Sequence, residues 1–284
     1  VEYPLEVALA QQTVDLPVGE GWRYEPKLDG DRGVLWRRDT VRIQTRAGRD
    51  ATEQWIDIAT AAMDLPRDTV LDGELVIWRD GRTDFGAVRS RASARGRRLA
   101  DLIHRYPATY AAFDCLQLDG HDLRGRAYTE RRAALVDVLE PLGPPLQVVP
   151  ATDDIQVART WYAALGEMGV EGIVAKRAGA PYRPGRSSWQ KIRHSETVDA
   201  TVVGYTGTLA RPQHLAVQLP DMRVALTQTL APALAAQMAE HLRDAGVVQR
   251  TTAGERYASV NGGPLVEVAA GTTRHAVVVV LRLR

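Results

Sequence analysis

Apolar and polar residues alternate over 34–36 and 41–45, which predicts two strands joined by a turn at Arg38-Asp39. A longer apolar run over 69–78 predicts a buried strand interrupted at Asp72-Gly73, and 108–118 has the same character. Helical spacing of apolar residues occurs over 54–63 and 129–139, with Thr129 as the cap of the second helix. Asp153 or Asp154 is placed to cap another helix, running to Met168 and stopped by Gly169, after which 171–176 returns to strand. A Gly-, Pro- and Ser-rich loop covers 180–188, and a boundary is expected near 195–200. Beyond it lie short β-branched segments over 197–205 and 215–219, then a helix with Pro232 in its first turn and Gly246 past its end. Val247, 257–260, 266–268 and 276–283 complete a small β-rich unit. The pattern predicts an α+β fold with one domain over 1–196 and a second over 197–284. Several short strands and one helix suit an oligonucleotide-binding (OB) barrel for the second domain.

Composition adds limits. The 284 residues are 45% hydrophobic and 25% charged, enough apolar material for one large core or two modest ones. The apolar stretch over 276–281 is far too short to span a membrane, and Glu2 and Glu6 interrupt any secretory signal pattern. One cysteine, Cys115, excludes an internal disulfide framework and agrees with a reducing cytoplasm, the expected location. A net charge of +1 does not advertise a nucleic-acid binder, although a local basic groove can coexist with neutrality. The only charge run is 89–98, where Arg89, Arg91, Arg95, Arg97 and Arg98 either track phosphates or form a mobile, solvated loop.

The basic residues are divided very unevenly, into 33 arginines and three lysines, Lys27, Lys176 and Lys191. Arginine stays protonated at any working pH, whereas a lysine amine can lose its proton and attack, and it binds phosphate as a compact point charge. Lys27 lies in Glu25-Pro26-Lys27-Leu28-Asp29-Gly30-Asp31-Arg32, where Pro26 disfavours helix and Asp-Gly favours a tight turn. On a regular strand over 171–176, Glu171 and Ile173 point one way and Gly172, Val174 and Lys176 the other. Trp189, Lys191 and Arg193 likewise share a strand face. Each segment alone also admits a plainer reading: a polar surface turn at Lys27, a charged strand terminus at Lys176 and a solvated edge strand at Lys191.

Taken together, the segments resemble the ATP-dependent DNA ligases of the covalent nucleotidyltransferase superfamily. Lys27-Leu28-Asp29-Gly30-Asp31-Arg32 is similar to the nucleophile motif KxDGxR, and Thr45-Arg46-Ala47-Gly48 to the SRxG motif that follows it. Leu71-Asp72-Gly73-Glu74-Leu75 resembles the DGE motif, Phe113-Asp114 the adenine-stacking segment, 171–176 the motif EGxVxK and Trp189-Gln190-Lys191 the element WxK. Tyr182-Arg183-Pro184-Gly185-Arg186-Ser187 and the order of the motifs are similar to small bacterial ligases of end-joining type. Arg274-His275 followed by Arg282 resembles the final barrel motif, with Ala276 in place of proline and Arg284 where aspartate is expected.

The resemblance implies an adenylation (nucleotidyltransferase) domain followed by an OB domain, acting as a minimal two-domain monomer. It implies AMP transfer from ATP to Lys27, then to a DNA 5′-phosphate, and finally attack by a 3′-hydroxyl to seal a nick. Lys27, Arg32, Lys176 and Lys191 would be catalytic; Glu25, Arg46, Glu74 and Phe113 would join them around the nucleotide. Arg32 and Glu74 would hold the ribose, Arg46 would approach the nucleotide or the DNA 5′-phosphate, and Glu74 and Glu171 would support Mg²⁺, or Mn²⁺ in its place. Asp29 would fix the nucleophile turn or assist the metal, and Trp189 is assigned to the core. Nicked double-stranded DNA is the implied partner, with end-joining or repair proteins beside it. The alternatives are an RNA or mixed-strand ligase, a capping enzyme using GTP, and a DNA-end binder that has lost self-adenylation.

Overall fold

The computed structural model describes residues 1–13, 15–193, 196–270 and 278–284, and divides into two compact units, Val1–Arg193 and His194–Arg284. In the first unit the strands are β1 (Leu9–Gln12), β2 (Trp22–Leu28), β3 (Asp31–Arg37), β4 (Val41–Thr45), β5 (Thr69–Arg79), β6 (Arg82–Thr83), β7 (Ala108–Leu118), β8 (His121–Asp122), β9 (Leu146–Val148), β10 (Val170–Arg177) and β11 (Ser187–Arg193). Its helices are α1 (Ile56–Ala61), α2 (Phe85–Ser93), α3 (Gly96–Arg105), α4 (Tyr128–Leu139) and α5 (Ile155–Ala164).

Two sheets enclose a cleft. One has the order β1-β11-β10-β2, and the other β4-β3-β5-β7-β8 with β6 and β9 attached. Pairing is antiparallel except for β1 with β11 and β7 with β9. Val34, Trp36, Val70 and Leu116 from one sheet share an apolar cluster with Trp189 from the other. The outer faces are covered by helices: Leu135 and Leu139 of α4 and Ile58 of α1 pack on Leu35, Leu71 and Cys115. Ala158 of α5 packs with Tyr24, Ile173 and Ile192. Each strand pair therefore turns one apolar row outward to a helix and the other row toward the cleft.

Several local expectations change. The strand over 69–78 is not interrupted at Asp72-Gly73; β5 runs through it, and the irregularity is a bulge in its pairing with β7. Thr129 does not cap α4, which starts one residue earlier after Ala127 without a side-chain cap. Asp154 is the cap of α5, accepting from the Gln156 amide at 2.7 Å, and a 3-10 turn separates the end of α5 from left-handed Gly169. Residues 89–98 form the end of α2, a short link at Ala94-Arg95 and the start of α3 rather than a solvated loop, with Ala87, Val88 and Arg91 buried on one face of α2 and Leu99 buried in α3.

The second unit contains β12 (Glu196–Thr208), β13 (Arg211–Gln218), β14 (Val224–Leu226), α6 (Pro232–His241), β15 (Asp244–Arg250), β16 (Arg256–Val260), β17 (Leu265–Ala270) and β18 (Val278–Leu283). β12 pairs with β13, β16 and β17, while β17 pairs with β18. A parallel bridge between Thr227 and Val278 joins the segment after β14 to β18, so the pairing returns on itself around Val202, Leu215, Val217, Val266 and Val268. Gly246 lies within β15 rather than at the end of α6. No described helix is long and apolar enough to cross a membrane.

Candidate active site

Lys27 is the second-last residue of β2, an edge strand, which is why Pro26 beside it is tolerated. The chain then leaves one sheet for the other through Leu28-Asp29-Gly30. A Cβ on Gly30 would stand 2.3 Å from the Leu75 carbonyl oxygen, so the Asp-Gly pair is required by close passage of the turn over β5.

Across the first sheet Lys27 pairs with Gly172 and Gly172 with Arg193, while Glu25 pairs with Val174 and Val174 with Lys191. These residues therefore face the cleft together. A bulge between Val170 and Gly172 breaks the regular alternation. Glu171, which simple alternation turns away, instead forms an ion pair with Lys27 on the cleft side and another with Arg193 Nε at 2.7 Å. Ile173 does point outward, into the α5 cluster.

Lys191 is half-buried, and its amine makes no hydrogen bond or ion pair among the described residues, although its carbonyl accepts from Thr13. Burial lowers its pKa to about 8, with Arg193, Lys27 and Arg46 adding repulsion and Glu171 opposing them. Arg46 is exposed in the turn after β4. Glu74 sits opposite Arg32 in the β3–β5 pairing, and burial pushes its pKa up to about 7 against the pull of Lys27 and Arg32. Burial also raises Asp29, with Glu171 adding to the effect, and it raises Asp31, where Arg89 acts against it.

Lys176 lies on the same face, four positions along β10 from Gly172, about 13 Å at strand spacing. Its amine is turned away from Lys27: it donates to the Phe113 carbonyl and pairs with Glu25 Oε2, both at 2.8 Å. It lies over the rings of Trp189, Phe113 and Tyr128 at 4.3, 4.9 and 5.0 Å. Tyr128 donates to the other oxygen of Glu25. The structure thus sets Lys27 against Glu171, with Lys191, Glu74 and Asp29 near enough to act on one another's charge, and sets Lys176 against Glu25 and Phe113.

Arg32 lies over both Phe113 and Trp189 at 5.3 Å. Its Nε and Nη2 donate to the two oxygens of fully buried Asp72 at 2.9 and 2.5 Å, and Nη1 donates to the Ala8 carbonyl at 2.6 Å. Asp72 and Tyr182 were visible only as members of motif segments; nothing in their spacing marks them as partners of Arg32. Trp189, assigned to the core by its position on a strand, is buried but borders both Arg32 and Lys176.

The model of the ATP dependent DNA ligase domain family matches residues 8–193. The chain belongs to this ATP-dependent DNA ligase family. Among relatives, DNA ligase C2 of Mycolicibacterium smegmatis is 35% identical over 204 residues, covering 71% of this chain and 57% of that protein. DNA ligase C of Mycobacterium tuberculosis is 36% identical over 211 residues, covering 71% and 58%. The chain thus spans less than two thirds of the length of these curated relatives. The solved ligase domain of Mycobacterium tuberculosis LigD has the same fold, with a TM-score of 0.58, 24% identity and coverage of 99% and 95%. In the second unit, Arg282 pairs with Glu267, and Arg284 pairs with Asp199 at 3.0 Å and Glu267 at 3.5 Å. Arg274, His275 and Ala276 lie outside the described residues.

Proposed function

We propose that this ligase-family chain captures AMP from ATP on Lys27, passes it to the 5′-phosphate at a nick in duplex DNA and seals the nick. The observation that carries the reading is the grouping of the Lys27 amine with Lys191, Arg193 and the Glu171 and Glu74 carboxyls. In the first step the Nζ lone pair forms a bond to the α-phosphorus, pyrophosphate leaves and the amine gives up a proton. Before that, Lys27 must part from Glu171. Lys191, unpaired in the cleft, is the cation placed to receive the α-phosphate and stabilise charge there. Arg32, clamped by Asp72, is the ribose contact. Phe113 is the adenine platform, so base stacking takes the place of one of the cations now over its ring.

Among the described residues no group of three or more His, Cys, Asp or Glu side chains is close enough to hold a metal. Mg²⁺ is usually bound through one or two carboxylates and the substrate's own phosphates. Glu171, with Glu74 beside it, would hold the ion, which when bound would neutralise phosphate charge. The first unit is read as the adenylation domain and the second, whose pairing closes on itself, as an OB domain. One relative, from Pseudomonas aeruginosa, is named a multifunctional non-homologous end joining protein, and repair of breaks is the proposed setting.

The test is incubation with α-labelled ATP and Mg²⁺, then a denaturing gel. Wild type should carry the label and Lys27→Arg should not, with both folded by circular dichroism; label persisting on the variant removes the role of Lys27. The labelled protein should then convert a nicked duplex to a sealed strand.

A further inference from the structure

Between Asp84 and Asp101 the chain carries five arginines and no acidic residue. The structure separates them into one buried anchor and four exposed groups without a carboxylate partner. Arg91 is fully buried: Nε donates to the Gln54 carbonyl at 2.8 Å, Nη1 to the Tyr106 carbonyl at 2.9 Å, and Nη2 pairs with Asp57. Its guanidinium lies 4.7 Å over the Trp55 ring. With Val88 and Leu99 also in the interior, α2 and α3 are held firmly in one orientation. Arg89, Arg95, Arg97 and Arg98 are left exposed, and none makes an ion pair among the described residues. Exposed Arg42 and Arg79 are paired with carboxylates, whereas here four exposed arginines without such partners fall within ten residues.

The strip begins at the reactive end of the cleft. Arg89 is near enough to Asp31 to oppose the effect of burial on that carboxyl, and Asp31 follows the turn that carries Lys27. Four exposed guanidinium groups without a carboxylate partner, carried on helices anchored by Arg91, are available to bind phosphates. The segment exposes no large apolar side chain between Phe85 and Arg105, so it lacks what an interfacial membrane helix inserts.

We propose that the arginine strip of α2 and α3 binds the sugar–phosphate backbone of duplex DNA and leads it to the Lys27 end of the cleft. The choice of DNA as ligand rests on the ligase reading; the affinity for phosphate rests on the exposure, charge and lack of carboxylate partners of the four arginines.

The test uses the full chain and a fluorescent nicked duplex, with binding followed by anisotropy across a salt series. Arg95→Gln/Arg97→Gln/Arg98→Gln should weaken binding on the order of 100-fold near 0.1 M salt and flatten the salt slope by about two to three. The triple lysine variant should restore most of the slope, because lysine keeps the charge. Thermal melting of each variant separates loss of binding from loss of fold. Unchanged affinity and slope in the glutamine variant overturn the proposal, as does loss of binding to anionic vesicles with DNA binding intact. Lys27 labelling is run on wild type in parallel. A labelled wild type with unchanged DNA binding in the glutamine variant sinks the strip alone. An unlabelled wild type whose DNA binding depends on the strip sinks the ligase reading alone.

Discussion

Tyr182 Oη donates to Asp72 Oδ2 at 2.7 Å, and the same carboxylate clamps Arg32. Tyr182 also accepts from the Ala8 amide at 2.9 Å, so the phenol is held from both sides. Burial, and then the charge of Asp72, push the phenol far above its ordinary range, which keeps it a neutral donor at working pH. Burial opposes the charge on Arg32, but Asp72 more than offsets it.

Removing only that hydroxyl should loosen Arg32 without emptying the cleft. Tyr182→Phe leaves a buried carboxylate short of one donor, at a cost of about 1–3 kcal/mol in stability. If Arg32 holds the ribose, the KM for ATP in AMP capture should rise several-fold with little change in kcat. An ATP analogue lacking the ribose hydroxyls should show a smaller penalty. Equal penalties with both nucleotides would mean that Tyr182 serves the fold only.

Glu25 and Lys176 make a second prediction. Both side chains are almost fully buried, at 3% and 2% exposure, so either charge left alone is expensive. Lys176→Met should destabilise the protein by about 3–5 kcal/mol, whereas Lys176→Met/Glu25→Gln should recover much of the loss. Urea unfolding of the two variants and wild type measures this coupling. Additive losses would show that the pair is not coupled.

These contacts mark the limit of what the sequence makes legible. Alternation placed β4, β7 and the cleft face of β11, and the scarcity of lysine singled out three residues that all reach the cleft. Alternation misjudged Glu171 because a bulge is a property of pairing with β2, not of the residues 171–176 alone. The arginine segment gave no helical signal because its buried residues are mostly small and one of them is Arg91, whose burial depends on distant Asp57, Gln54 and Tyr106. Asp72 and Tyr182 are 110 residues apart, and no local pattern joins them.

Lys191 gives the pH dependence. Its folded pKa is lowered to about 8 from an ordinary value of 10.5, so the cation is complete below the folded value and is lost as pH rises through it. kcat/KM for AMP capture, which reports the free enzyme, should therefore fall on an alkaline limb near pH 8. Lys191→Arg stays charged throughout, so its activity, although lower, should lose that limb. An alkaline limb at the same pH in the arginine variant would assign it to another group.

The Glu171 bulge provides the last prediction. Gly172 has φ 156, and a Cβ there would lie 2.0 Å from the Ile192 carbonyl oxygen and 2.8 Å from the Arg193 Cα. Both are backbone atoms, so relief requires β10 and β11 to separate at the point where Glu171 meets Lys27 and Arg193. Gly172→Ala should cost about 1–3 kcal/mol in stability as overpacking. It should slow AMP capture far more, on the order of 100-fold, because a misplacement of about 1 Å in a reacting group costs that much. Gly179→Ala is the matched control, since nothing lies within 4 Å of its added Cβ. Single-turnover labelling compared with thermal melting decides the matter. If Gly172→Ala captures AMP as fast as the control, Glu171 has no part in setting the Lys27 geometry.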